Sequence, residues 1–310
     1  MAPIKLRTIT FDILRMYWFL GILGIFLFLA LRRRFSARAR ICKHVFAAQQ
    51  ALTRRDFQAF DQNLQRSRQM AEKLWNEGLR LEFRGDLALL GVQGAYWCGD
   101  IAAAEQEARR AIEVLTSVDP ADRKGKLCMV HVFLGDIFLD REKLAEAAEA
   151  FRAAANLAER STAPFAAIFP LQKLADALLE AEKRDEAVSV IDHCVEIENE
   201  FYASGKAGEN LSRGISMTAP DQSLVRSDFA TAERLFDEKV RYFAGSAANS
   251  TGIDVLRYQL HLAEAQYHQG NIEKAQATLT SACAAVEEQF GSRHPRVERV
   301  RRKLESLRQH

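Results

Sequence analysis

The stretches Asp140-Arg141-Glu142-Lys143-Leu144-Ala145-Glu146-Ala147-Ala148-Glu149-Ala150-Phe151 and Gln269-Gly270-Asn271-Ile272-Glu273-Lys274-Ala275-Gln276-Ala277-Thr278-Leu279 follow one grammar. Each has a turn, an apolar residue, Ala three positions later and a large apolar residue four after that. The cadence recurs at Gly99-Asp100-Ile101 with Ala104 and Ala108, and at Lys183-Arg184-Asp185-Glu186 with Ala187 and Ile191. It recurs again at Asp228-Phe229 with Ala232 and Phe236, and in weaker form at Asp56-Phe57 with Phe60 and Leu64. Anchored on residues 60, 104, 147, 187, 232 and 275, the units are 44, 43, 40, 45 and 43 residues apart. Unrelated alanine-rich helices would not keep so steady a period. Small residues let antiparallel helices approach, and Phe151, Ile191, Phe236 and Leu279 fill the space between one hairpin and the next.

Before these turns lies another apolar helix with a small residue beside a leucine: Leu134-Gly135, Leu174-Ala175 and Leu262-Ala263, followed by Phe138, Leu178 and Tyr267. At these residues the chain resembles the tetratricopeptide repeat family. Leu134, Gly135, Phe138, Ala147, Phe151 and Ala154 match that pattern, as do Leu262, Ala263, Tyr267, Gly270, Asn271, Ala275, Leu279 and Ala282. A spacing near 43 exceeds the usual repeat of about 34 residues, so the chain is similar to the longer-helix variant found in kinesin light chain repeats. Gly291-Ser292-Arg293-His294-Pro295 resembles the Gly-x-x-His-Pro junction of that variant, with Pro295 opening a terminal capping helix. The resemblance implies an all-α, right-handed superhelix of about six antiparallel helix hairpins over residues 44–292, closed by a basic capping helix at 293–310. Gly205, Gly208, Gly214 and Pro220 interrupt the fifth unit, so 203–223 is expected to be irregular.

The chain has 310 residues, 48% hydrophobic and 27% charged, with no run of alternating apolar and polar residues longer than chance, which agrees with an all-helical reading. Its net charge of +2 conceals a partition. Residues 1–43 hold nine Lys or Arg against the single Asp12, and 293–308 hold seven against two acids, so the intervening body carries −11. An acidic body argues against nucleic-acid binding, which needs a basic face on the folded domain. Five cysteines, at 42, 98, 128, 194 and 283, show no metal-ligand cadence and fit reduced thiols.

From Met16 to Leu31 the residues MYWFLGILGIFLFLAL carry no charge, and Arg32, Arg33 and Arg34 follow. Such a run reads as a single membrane anchor over 16–34 after a short segment 1–15, with 35–43 as a basic linker. Six Lys or Arg on the carboxy-terminal flank against Lys5, Arg7 and Arg15 place the repeats in the cytoplasm, and the alanine- and arginine-rich usage suggests a bacterial inner membrane.

On the repeat register, Tyr96, Trp97, Asp136, Asp140, Asp176, Glu180, Glu264 and His268 project toward the concave groove. An acidic groove with an aromatic patch suits a protein partner bearing a basic or mixed apolar segment. The groove lacks the Lys and Asn pairs with which co-chaperone relatives clamp a terminal carboxylate. His261, Glu264 and His268 fall along one helical face, a weak metal pattern without a third strong ligand. His193 and Cys194 are neighbours on a helix and diverge by about 100°, so they do not form a nucleophile and base. The basic run Arg296, Arg299, Arg301, Arg302, Lys303 and Arg308 reads as the solvated outer face of the capping helix, or alternatively as a contact for anionic lipid or an acidic partner. No phosphate loop, nucleophile elbow or zinc-protease motif occurs, so neither an enzyme nor a cofactor is expected. The expectation is a membrane-anchored scaffold that recruits or assembles proteins, or alternatively a permanent subunit of an integral membrane complex.

Overall fold

The computed structural model describes residues 37–117, 120–161, 163–205, 216–244 and 252–308. Two compact units divide the chain, one ending at Phe83 and the other running from Arg84 to His310. In the first, α1 (37–53) and α2 (Phe57–Glu72) precede the opening turns of α3 (Glu77–Trp97). Ile41, Ala48 and Leu52 bury the inner face of α1, Phe60, Leu64 and Ala71 that of α2, and His44 Nδ1 meets Asn63 Oδ1 at 2.9 Å.

The second unit continues α3 and adds α4 (Ile101–Thr116), α5 (Pro120–Asp140), α6 (Leu144–Glu159), α7 (Ile168–Glu180) and α8 (Arg184–Ala203). A short α9 (Ala219–Val225) follows, then α10 (Phe229–Ala244), α11 (Gly252–His268), α12 (Ile272–Phe290) and α13 (Pro295–Arg308). Consecutive helices from α4 to α8 and from α9 to α13 pack as neighbours, which is the hairpin stacking of a TPR-like repeat.

The residues at 60, 104, 147, 187, 232 and 275 all lie in second helices and are all buried. Five residues before each of them the chain enters the left-handed region, at Arg55, Gly99, Glu142, Glu182, Ser227 and Gly270, with φ between 57° and 82°. At five of these turns an amide also reaches back five residues to the preceding helix, as Lys143 N–H does to the Phe138 carbonyl at 2.9 Å. That closes the exposed carbonyls of the first helix and aims the second one back along it. Asp56, Asp100 and Asp228 then cap the second helices by accepting an amide N–H three residues on.

Two boundaries differ from the sequence reading. Residues 37–43 of the expected linker are the first turns of α1, because Ile41 is buried at helical spacing from Ala48 and Leu52. Within the stretch expected to be irregular, Ala219–Ser223 are helical, with Pro220 in the first turn of α9, where its missing N–H costs nothing. The segment 1–15 and the anchor at 16–34 lie outside the described residues. Among the described residues no helix is long and apolar enough to cross a membrane.

Gly135 shows how closely α5 and α6 approach. A methyl there would stand 2.6 and 2.7 Å from Cζ and Cδ1 of the fully buried Phe151 ring. Gly135→Ala is expected to destabilise the chain by about 1–3 kcal/mol through overpacking, read as a lower urea midpoint with an unchanged slope.

Candidate functional site

Helix α13 lies against the very carboxylates that the sequence assigned to the groove. Three of its cations, Arg296, Arg299 and Lys303, recur at i, i+3 and i+7 and so share a face. Arg296 is 4% exposed, and its Nη2 is 3.3 Å from Asp136 Oδ2 while its Nε is 3.8 Å from Asp140 Oδ1. The guanidinium also stands 5.3 Å from the centre of the Tyr96 ring, and the Tyr96 hydroxyl donates to Asp140 Oδ2 at 2.7 Å. Lys173 of α7 completes this cluster, 3.0 Å from Asp136 Oδ1. One turn on, Arg299 pairs with Glu180, and Lys303 reaches the same Oε1 at 2.8 Å.

The electrostatics follow from these pairings. Burial pushes Asp136 toward protonation, but Lys173 and Arg296 overcome it and hold its carboxyl below the ordinary range. Glu180, opposed by burial in the same way, is held at about 2 by Arg299 and Lys303. Burial raises the Tyr96 phenol, and the charge of Asp140 adds to that. His294 latches the start of α13. Its Nδ1 accepts the Arg296 amide at 3.1 Å, so Nε2 carries the proton donated to the Tyr96 carbonyl at 2.7 Å.

A second cluster joins α7, α9 and α11. Arg257 forks onto Asp176, with Nε and Nη2 each 2.7 Å from a carboxylate oxygen, and also bonds Asp221. His261 places Nε2 3.0 Å from Asp176 Oδ1 and Nδ1 3.4 Å from Glu264 Oε2. Burial works against its charge, yet Asp176 prevails and raises its pKa to about 9. Gln172 donates to Asp221 at 2.7 Å.

The sequence candidates therefore separate into three groups. Tyr96, Asp136 and Asp140 converge on Arg296, whereas Asp176, Glu180 and Glu264 line a neighbouring cleft. Trp97 and His268 join neither set: Trp97 packs edge-on against Phe290 at 5.7 Å, and His268 stacks on Phe229 at 4.4 Å. The expected solvated outer face of α13 is corrected for Arg296 and Arg299, which are turned inward by the carboxylates of α5 and α7. Arg302 does stand on an exposed surface. The metal pattern also differs from its sequence form, since Asp176 and Asp221, not Glu264 and His268, lie beside His261. Ligand atoms of Asp176, Asp221 and His261 lie within 4.8 Å of one another, but Arg257 bonds both carboxylates and His261 already donates to Asp176, so two cations answer their charge. His193 is exposed beside Glu159, and Cys194 is buried with its thiol pushed up by desolvation.

Lys173, Arg257 and Asp221 escaped the sequence reading. The only signal for them was a charged residue among apolar neighbours on a helix, as at Lys173 between Leu171 and Leu174.

A cleft of about 250 Å³ opens between α7, α11, α12 and the last turn of α13. Leu260, Tyr267, Leu279 and Leu307 form its apolar walls, with Asp176, Glu180 and Glu264 as its carboxylates beside His261 and Lys303.

Comparison with known proteins shows the fold. Aspartyl phosphate phosphatase F from Bacillus subtilis superimposes with a TM-score of 0.54 at 12% identity, over 89% of this chain and 72% of that one. The apo form of RapI gives 0.53 at 12% identity, over 80% and 99%. A STAND signal-transduction ATPase with a tetratricopeptide repeat sensor, from Pyrococcus horikoshii, gives 0.50 at 15% identity over 80% of this chain, which spans 37% of that larger protein. No family model and no curated protein matches the chain. The chain thus has a TPR-like repeat fold.

The charge network makes stability depend on pH at both ends. His261, raised from 6.5 to about 9, contributes fully below pH 6.5 and loses that contribution as pH rises through 9. The unfolding free energy is expected to fall across this window by at most ~3 kcal/mol, and the fall should vanish in His261→Gln. Glu180, lowered from 4.5 to about 2, contributes above pH 4.5 and loses it as pH falls through 2. Urea unfolding followed by circular dichroism at a series of pH values checks both.

Proposed function

We propose that this chain is a membrane-attached, TPR-like interaction module that holds a protein partner in the cleft at the open end of its concave face. The observation that carries this reading is the division of that face. Its α3–α5 end is filled by the chain's own basic helix, while the α7–α11–α12 end keeps apolar walls beside three carboxylates, Asp176, Glu180 and Glu264. Helix α13 shows what the surface accepts: Lys303 satisfies Glu180, and Leu304 and Leu307 pack with Ala263, Ala275 and Leu279. A partner segment with a cation for Glu264 and an aliphatic side chain for Leu260 and Tyr267 would extend the same pattern. The long period and the Gly-x-x-His-Pro junction support the longer-helix variant of the repeat, wound as a right-handed superhelix.

Membrane attachment rests on the uncharged run 16–31 and its arginine-rich flank, which support a cytoplasmic face on a bacterial inner membrane. A reporter fused after His310 that is active only in the cytoplasm is expected to be active, and its periplasmic counterpart silent. The reverse result would place the repeats outside.

The partner site is tested with a photo-crosslinking amino acid at Leu307, inside the cleft, and at Arg152, on an exposed surface. A discrete adduct is expected from position 307 alone, and Glu264→Lys should remove most of it. Adducts of equal yield from both positions would move the partner elsewhere.

A further inference from the structure

Helix α1 has an outer face that the repeat stack does not use. Its inner side is Ile41, Ala48, Ala51 and Leu52, all buried. At 100° per residue, Phe46 stands near the middle of the opposite side, flanked by Arg38, Ala39, Cys42 and Lys43, and every one of these is exposed. Phe46 is 59% exposed, an aromatic ring in water with cations on both sides of it. Arg38 leans toward Glu82 at 3.6 Å, leaving more than half of its side chain accessible.

Chain connectivity says where this face is. Only residues 32–36 separate Leu31, the end of the uncharged run, from residue 37 of α1, and a chain covers at most about 3.6 Å per residue. With the run in a bilayer, the first turn of α1 lies within about 20 Å of the interface. Arg32, Arg33, Arg34, Arg38, Arg40 and Lys43 put six cations in twelve residues there. Aromatic rings favour the headgroup level, and cations favour anionic lipid.

We infer that the Arg38, Lys43 and Phe46 face of α1 is a docking surface for anionic phospholipid, laying the first hairpin on the membrane instead of suspending it from a linker. This rests on the membrane attachment proposed above. The occupant is lipid because the face is cationic around one aromatic ring and is tethered beside the apolar run.

Two exposed native cysteines make the test direct: Cys42 on this face and Cys98 at the α3–α4 turn. The full chain is placed in nanodiscs of phosphatidylcholine alone or with phosphatidylglycerol, carrying a polarity-sensitive thiol fluorophore at one site and serine at the other. The Cys42 probe is expected to shift to the blue and be quenched by acyl-chain quenchers in the phosphatidylglycerol discs, while the Cys98 probe stays aqueous. Arg38→Gln or Lys43→Gln should each lower membrane binding roughly fivefold, and Phe46→Ala should abolish the quenching. A Cys42 probe that stays aqueous in discs holding the chain overturns the inference and leaves the anchor standing. A chain that fails to enter discs overturns both. Protection of Cys42 that persists in neutral detergent and scales with protein concentration would assign the face to a second copy of the chain and overturn the lipid reading.

Discussion

A guanidinium withdrawn from water must be surrounded by compensating charge, and Arg296 is that group here. Its partners come from α3 and α5, more than 150 residues earlier in the chain. Removing a charge from water costs several kcal/mol unless partners replace the solvent. Helix α13 can therefore occupy its position only with Asp136, Asp140 and Tyr96 arranged to receive it. The His294 latch fixes the entry of that helix, and Arg299 and Lys303 fix its direction along α7. Its last turn, through Lys303, Ser306 and Leu307, forms one wall of the cleft.

The Arg257 cluster answers a different need. A seven-residue helix such as α9 buries too little apolar surface to hold its place alone. Polar groups supply the rest. Arg257 and Gln172 hold Asp221, Glu198 accepts the Met217 and Thr218 amides ahead of α9, and Arg184 donates to the Leu224 and Val225 carbonyls at its far end. The fifth unit thus adds charge and hydrogen bonding to the packing of Leu224, Ala232 and Phe236. Burying the Asp176 and Asp221 carboxylates also consumes the one acidic grouping among the described residues that had the geometry of a metal site.

The turns show how far local sequence carries such a fold. Only Gly99 and Gly270 announce the left-handed residue that every hairpin requires, and Arg55, Glu142, Glu182 and Ser227 adopt it without glycine's freedom. These four are held there by the packing of the helices they join, since a non-glycine residue accepts a left-handed conformation only where its surroundings impose it. The period of the small residues revealed the hairpins where the turn chemistry did not. That Tyr96, Asp136 and Asp140 share one side of the repeats was legible because helical projection needs only the register; that Arg296 covers them was not. Lys173, Arg257 and Asp221 were not, because a charged residue on an apolar helix looks the same before its partner is known.

By itself, the sequence determined the helices, their pairing and the register of the repeats, since these follow from spacing within 40 to 45 residues and from the close approach that Gly135 and the buried alanines allow. Only the tertiary structure decided what α13 meets. The acidic helices and the basic final helix were both visible as charge, but their meeting depends on how the intervening hairpins stack. Arg296 reaches Tyr96 across 200 residues of sequence, and no local pattern in the chain encodes that contact.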